Sequence, residues 1–140
     1  MINYEELFMK EALRLAVKAF EEDEVPVGAV VVYGQQIIGK GYNQVEKLND
    51  PTAHAEILAI TAAYNYLGSK YLDKCTLYVT LEPCMMCTGA IREAQIQKVV
   101  FGAGDNSHRK SQPNQFELQG GILEDECSSL LKRFFKLKRL

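Results

Sequence analysis

No stretch of this sequence approaches the roughly 18 uninterrupted apolar residues of a membrane-spanning helix. The N-terminus carries Glu5, Glu6, Lys10 and Glu11 where a secretion signal would place an apolar core. We therefore expect a soluble, cytoplasmic protein without a membrane partner. Cysteine is scarce as well. The four present could form two disulfides, yet Cys84 and Cys87 have the spacing of metal ligands and nothing else points to an oxidising compartment, so all four read as reduced. Excess positive charge is missing: the formal net charge is −2, which gives no general attraction to nucleic acid. Locally the sign reverses. Residues 132–140 hold five basic side chains and no acid, leaving −7 on the other 131 residues. Such a tail suits either the C-terminal end of a helix dipole or a phosphate-binding role. Repeats, low-complexity tracts and linkers are absent too. A chain of 140 residues, 47% of them hydrophobic, can build a core without help from disulfides or metal, so one domain spanning residues 1–140 is expected.

The pattern of apolar residues places the elements. Asn3 followed by Glu6 has the form of a capping box, and Leu7, Phe8, Ala12, Leu15, Ala16, Ala19 and Phe20 recur at helical spacing to about Glu21. After an acidic turn, residues 27–33 and 36–42 read as two antiparallel strands joined at Gly34-Gln35. Pro51 suits the first turn of a second helix that ends at Gly68, which puts His54 and Glu56 in its opening turn. A buried strand over 76–81, a third helix starting at Pro83 and a strand over 98–103 imply a parallel pairing with a crossover helix. Residues 104–115 then read as a loop, 116–122 as a last strand and 123–137 as a final helix.

The chemistry lies at two of these helix starts. In Pro83-Cys84-Met85-Met86-Cys87 the two cysteines are three apart, so on a helix both sulfurs can reach one ion, and a helix N-terminus lowers thiol pKa toward the thiolate that binds metal. His54 upstream supplies a third ligand. Zinc is tetrahedral, and three protein ligands leave one position for water, whereas a structural site is closed by four. Glu56, two residues from His54, then points at that water as proton acceptor and donor. A fourth ligand from Cys75, Cys127 or His108 would turn the site structural. A redox cysteine pair is a further alternative, although such a pair needs no distant His-x-Glu.

His54-Ala55-Glu56 with Pro83-Cys84-x-x-Cys87 is the zinc-deaminase signature. Wider segments narrow the match: residues 25–30 (Val-Pro-Val-Gly-Ala-Val), Gly41-Tyr42-Asn43, Asp50-Pro51-Thr52-Ala53, 77–82 (Leu-Tyr-Val-Thr-Leu-Glu) and 99–103 (Val-Val-Phe-Gly-Ala). Over nearly its whole length the chain resembles the bacterial tRNA-specific adenosine deaminases. The resemblance implies an α/β, three-layer α/β/α cytidine-deaminase-like fold with a central mixed five-stranded sheet, usually as a homodimer. It also implies a zinc ion (Zn2+) on His54, Cys84 and Cys87, and a tRNA anticodon loop as partner. Hydroxide attack at C6 of the wobble adenosine would yield inosine, with Glu56 moving protons. Asn43 would hydrogen-bond the base, the Ala55 N–H would face the pocket, Pro26 and Val27 would form part of its wall, and Asp105 matches a family position near the bound RNA. Phe134-Phe135-Lys136-Leu137-Lys138-Arg139 resembles the family's basic end, which would lie against RNA phosphate.

Leu81, and Val27 in Pro26-Val27-Gly28-Ala29, separate this chain from the pattern of guanine deaminases. Two departures from the tRNA enzymes stand out. Gly104 replaces their usual Arg before Asp105, and the loop that follows is shorter, with Arg109 and Lys110 as the cations available there. The alternatives are therefore a deaminase of a free base or nucleoside and a non-catalytic, zinc-stabilised RNA-binding subunit.

Overall fold

A computed structural model of the protein describes residues 1–105 and 116–139. Asn3 caps the first helix, α1 (Tyr4–Glu21), by accepting the Glu6 N–H at 3.2 Å, as the capping pattern leads one to expect. Strands β1 (Gly28–Tyr33) and β2 (Gln36–Tyr42) form the expected hairpin. Helix α2 (Ala55–Leu67), strand β3 (Cys75–Leu81), helix α3 (Met85–Glu93) and strand β4 (Lys98–Ala103) follow, then a short β5 (Glu117–Gln119) and α4 (Glu124–Lys138). The sheet runs β2-β1-β3-β4-β5. β1 is antiparallel to both β2 and β3, while β3–β4 and β4–β5 are parallel. Among the described residues no helix is long and apolar enough to cross a membrane.

Alternation along the strands builds the three expected layers. Val30, Val32, Tyr78 and Val100 pack with Phe8, Met9 and Ala12 of α1 and Cys127 of α4. Ala29, Val31, Leu77, Val79 and Val99 face the other way, against Ala55, Ala59 and Ala63 of α2 and Ile91 of α3. Helix α2 lies directly on β2, because a side chain at Gly39 or Gly41 would collide with the carbonyls of Ala59 and Ala55. That close approach fixes the start of α2 at the carboxyl-terminal end of β2.

The structure corrects three boundaries. Pro51 does not begin α2: Asp50 accepts both the N–H and the hydroxyl of Thr52, which closes a separate turn, and the helix starts at Ala55 with His54 as its extended N-cap. Pro83 likewise precedes its helix, whose N-cap is Cys84. The last strand, expected over 116–122, spans only Glu117–Gln119, since Gly121 takes a positive φ of 91° and the chain turns into α4. His108, Arg109 and Lys110 lie outside the described residues.

Candidate active site

Both helix starts place a metal ligand where a capping side chain ordinarily stands. His54 makes no side-chain cap bond to its own helix, so the first-turn N–H groups there need another acceptor. For α2 the acceptor comes from twelve residues away: Asn43 Oδ1 receives the Ala55 N–H at 2.8 Å. His54 is thereby left free to turn its ring toward α3.

His54 Nδ1 stands 3.7 Å from Cys84 Sγ and 3.5 Å from Cys87 Sγ, and the three ligand atoms lie within 4.8 Å of one another. Bonds of about 2.3 Å to sulfur and about 2.05 Å to nitrogen at a tetrahedral angle put those atoms about 3.6 Å apart, so the cluster fits zinc. Both sulfurs lie near Nδ1, so this is the ring nitrogen that would ligate a metal ion held between them.

The thiols divide unequally. The hydrogen bond from Cys87, then the N–H groups of Cys87 and Met86 and the neighbouring His54, bring Cys84 down to about 5 against the pull of burial. The same bond and burial, with the Glu56 and Cys84 charges, push Cys87 upward. One thiolate forms readily beside the helix start, and the second requires a cation, which is the donor set of a zinc site. Glu56 is almost fully buried. Desolvation raises its carboxyl to about 7, the Cys84 charge adding to that, and its own N–H, His54 and Cys87 acting in the opposite sense.

A cavity of about 510 Å³ opens over this cluster. His54, Glu56 and Cys84 form its floor, while Cys87 is buried behind them. Asn43, Val27 and Asp105 are among the residues that line the cavity. The Ala55 N–H, expected to face the pocket, is bonded to Asn43 Oδ1, which lines the cavity. Pro26 is fully buried outside the lining, at the centre of a tight turn in which the Val27 N–H donates to Val25 O at 2.8 Å, and the wall there is made by Val25 and Val27. Cys75 and Cys127 are buried at the start of β3 and against Gly102, and among the described residues neither joins the ligand cluster.

The cavity also has contributors that sequence spacing did not suggest. Glu24 and Glu82, both buried, line it, as do Phe134 and Lys138 from the end of α4. Glu24 receives the N–H groups of Glu46 and Lys47, and Glu82 Oε1 receives that of Asp105 at 3.1 Å. Lys138 pairs with Asp23 at 2.6 Å and lies over the Phe134 ring. An acid run before a strand and a single acid before Pro-Cys carry no periodicity that marks such duties.

Fold and site together define a hydrolytic, zinc-dependent deaminase, and the model of the family described as "Cytidine and deoxycytidylate deaminase zinc-binding region" matches residues 2–103. The tRNA-specific adenosine deaminase of Aquifex aeolicus is 56% identical, the match covering 96% of this chain and 95% of that one. A solved structure from a study of A-to-I editing by tRNA:A34 deaminases superposes with a TM-score of 0.84 at 40% identity, covering 89% of this chain and 99% of the other. A guanine deaminase from Nitrosomonas europaea shares the fold at a TM-score of 0.82 and 25% identity, over 92% and 83% of the two chains. The chain belongs to the family of tRNA-specific adenosine deaminases.

Proposed function

We propose that the protein converts adenosine to inosine at the wobble position of a tRNA anticodon loop, releasing ammonia. The observation that carries this is the convergence of the His54–Cys84–Cys87 cluster and buried Glu56 on the floor of one cavity, in a chain whose relatives bear that activity. The cavity volume suits one nucleoside withdrawn from its neighbours.

Zinc supplies Lewis-acid activation of water when bound by His54, Cys84 and Cys87. The remaining steps belong to the chain. Glu56 takes a proton from the attacking water, passes it to the ring nitrogen beside C6, and assists departure of the C6 amino group as ammonia. Water and adenosine are consumed, inosine and ammonia are formed, and Glu56 ends as it began. Asn43 keeps Oδ1 on the Ala55 N–H and offers Nδ2 as a donor to the base. Val27 forms part of the wall, and Asp105, held through its N–H by Glu82, closes the side next to β4. The basic end of α4 stands at the mouth, where phosphate of the flanking nucleotides would arrive. We place the enzyme in the cytoplasm as a homodimer, with the 140 residues acting as one domain.

Purified protein incubated separately with tRNA, free adenosine, guanine and cytosine distinguishes the substrates. Inosine in tRNA and no turnover of the small molecules is expected; turnover of a free base with tRNA unchanged would overturn the proposal in favour of the base deaminases that share this fold.

A further inference from the structure

Among the described residues, Glu24 is the one buried carboxylate at the cavity to which the proposed chemistry assigns no part. It is 2% exposed. Its two oxygens receive successive backbone N–H groups, Oε1 that of Glu46 at 3.1 Å and Oε2 that of Lys47 at 2.8 Å. Burying a carboxylate is expensive unless it is well bonded, and charge-assisted bonds to two adjacent amides are among the stronger ones. What those bonds hold is the segment after β2. Asn43 stands at its start, tied to Val27 by its N–H and to α2 by its side chain, and Val45 and Glu46 form the next part of the cavity wall.

The end of α1 is built to aim this carboxylate. Asp23 adopts a left-handed φ of 63°, its N–H returns to Phe20 O at 3.1 Å, and the Glu24 N–H returns to Ala19 O at 2.9 Å. That pair of bonds is a Schellman closure, which fixes where the first residue past the turn points. Glu24 thus joins a rigid helix end to a loop that has neither helix nor strand of its own.

We propose that Glu24 is a positioning residue for substrate recognition: it holds the 43–47 wall of the cavity in its binding-competent form before substrate arrives. The inference rests on the tRNA reading above. Without the clamp fewer molecules hold the wall in that form before substrate arrives, so part of the binding energy is diverted to restoring it, and the apparent affinity falls by the fraction of molecules with the wall in place. Groups that move protons and hold metal are untouched.

The test uses the full-length zinc enzyme and compares wild type with Glu24→Gln, Glu24→Ala and Glu24→Asp. In Glu24→Gln one acceptor survives and an NH2 group confronts the second amide; Glu24→Asp retains both oxygens on a shorter stem. Expected are a KM for tRNA raised about tenfold in Glu24→Ala, less in Glu24→Gln, and partly rescued in Glu24→Asp. The kcat should stay within about twofold and zinc content should match wild type. Hydrogen exchange should speed up at the amides of Glu46 and Lys47. Unchanged KM in Glu24→Ala while those amides lose protection would overturn the inference, and so would a drop in kcat or zinc with KM unmoved. Wild-type protein that leaves tRNA unaltered would remove both the inference and the reading beneath it.

Discussion

The floor and the rim of the cavity are made in different ways. The floor comes from two short segments, residues 54–56 and 84–87, each at the start of a helix seated on the sheet. Its geometry follows from local rules: Cys84 at the N-cap and Cys87 three residues on share a face, and α2 is held by its contact with β2. The rim draws on five separate stretches: the end of α1, the segment after β2, the end of β3, Asp105 and the last turns of α4. It is held by side chains reaching to distant backbone, as with Glu24 to Lys47 and Glu82 to Asp105. The floor is thus fixed by short-range structure, and the rim by bonds between segments far apart in the chain.

The hardest blow to the floor is removal of Glu56. Glu56→Ala should retain the fold and one zinc per chain while deamination falls by at least about a thousandfold, within the range for loss of a positioned acid–base group. Turnover assays paired with metal analysis check this, and substantial remaining turnover would exclude Glu56 from proton transfer. The same residue makes a stability prediction. Its folded pKa, about 7, lies above the ordinary 4.5, so the unfolded chain releases that proton first and the residue costs the fold stability as pH rises from about 4.5 to about 7. After zinc is removed by chelation, Glu56→Gln should therefore be the more stable protein, with a gap that widens over that window by on the order of 3 kcal/mol. Denaturant titrations at several pH values read the gap directly. The comparison with the variant is needed because Cys84, depressed to about 5, acts in the opposite direction, adding stability as pH rises above its folded pKa. A gap independent of pH would show that Glu56 is not desolvated as described.

The contrast between floor and rim also explains what could be read without coordinates. His54, Glu56, Cys84 and Cys87 are legible because ligand spacing and helix starts are short-range properties, and β3-α3-β4 is legible because a strand, a helix and a strand in so few residues imply a parallel pairing. Helix α2 starts at Ala55 and not at Pro51 because Asp50 spends its carboxylate on Thr52, a local bond that competes with the helix. The duty of Glu24 was invisible for a different reason. Nothing in an acidic turn says that one of its members is folded inward to meet amides 22 and 23 residues away. The bond between the Ala55 amide and Asn43 is equally invisible to spacing: His54 cannot both ligate and cap, and the acceptor comes from twelve residues away.

Asn43 belongs to both regions, so its removal ranks next. Asn43→Ala leaves a buried helix-start N–H without its acceptor and takes a donor from the cavity. Loss of such a cap costs about 1 kcal/mol of stability. Loss of a substrate bond as well should lower kcat/KM by ten- to a hundredfold, on the order of one to three kcal/mol. Asn43→Asp separates the parts, because it keeps the acceptor and lacks the donor. Thermal stability should return to that of wild type while kcat/KM stays low. Recovery of both would confine Asn43 to capping.

The smallest effects belong to the outermost rim, where Lys138 and Asp23 pair at 2.6 Å with both side chains largely exposed. An exposed pair contributes about 0–1 kcal/mol, so neither Lys138→Ala nor Asp23→Asn should shift the melting temperature much, Asn being tolerant of the left-handed conformation that Asp23 adopts. Their effects on tRNA should have opposite signs. If Lys138 meets a phosphate, Asp23 competes for the same ammonium. Lys138→Ala should then raise KM severalfold and reduce the salt slope of binding by about 0.7–0.9, the loss of one phosphate contact, whereas Asp23→Asn should lower KM. The double variant should match Lys138→Ala, since Asp23 then has no cation left to withhold. A lowered KM that persists in the double variant would show that Asp23 repels the RNA on its own account, and that the acidity of the rim, rather than the reach of one lysine, sets affinity at the mouth.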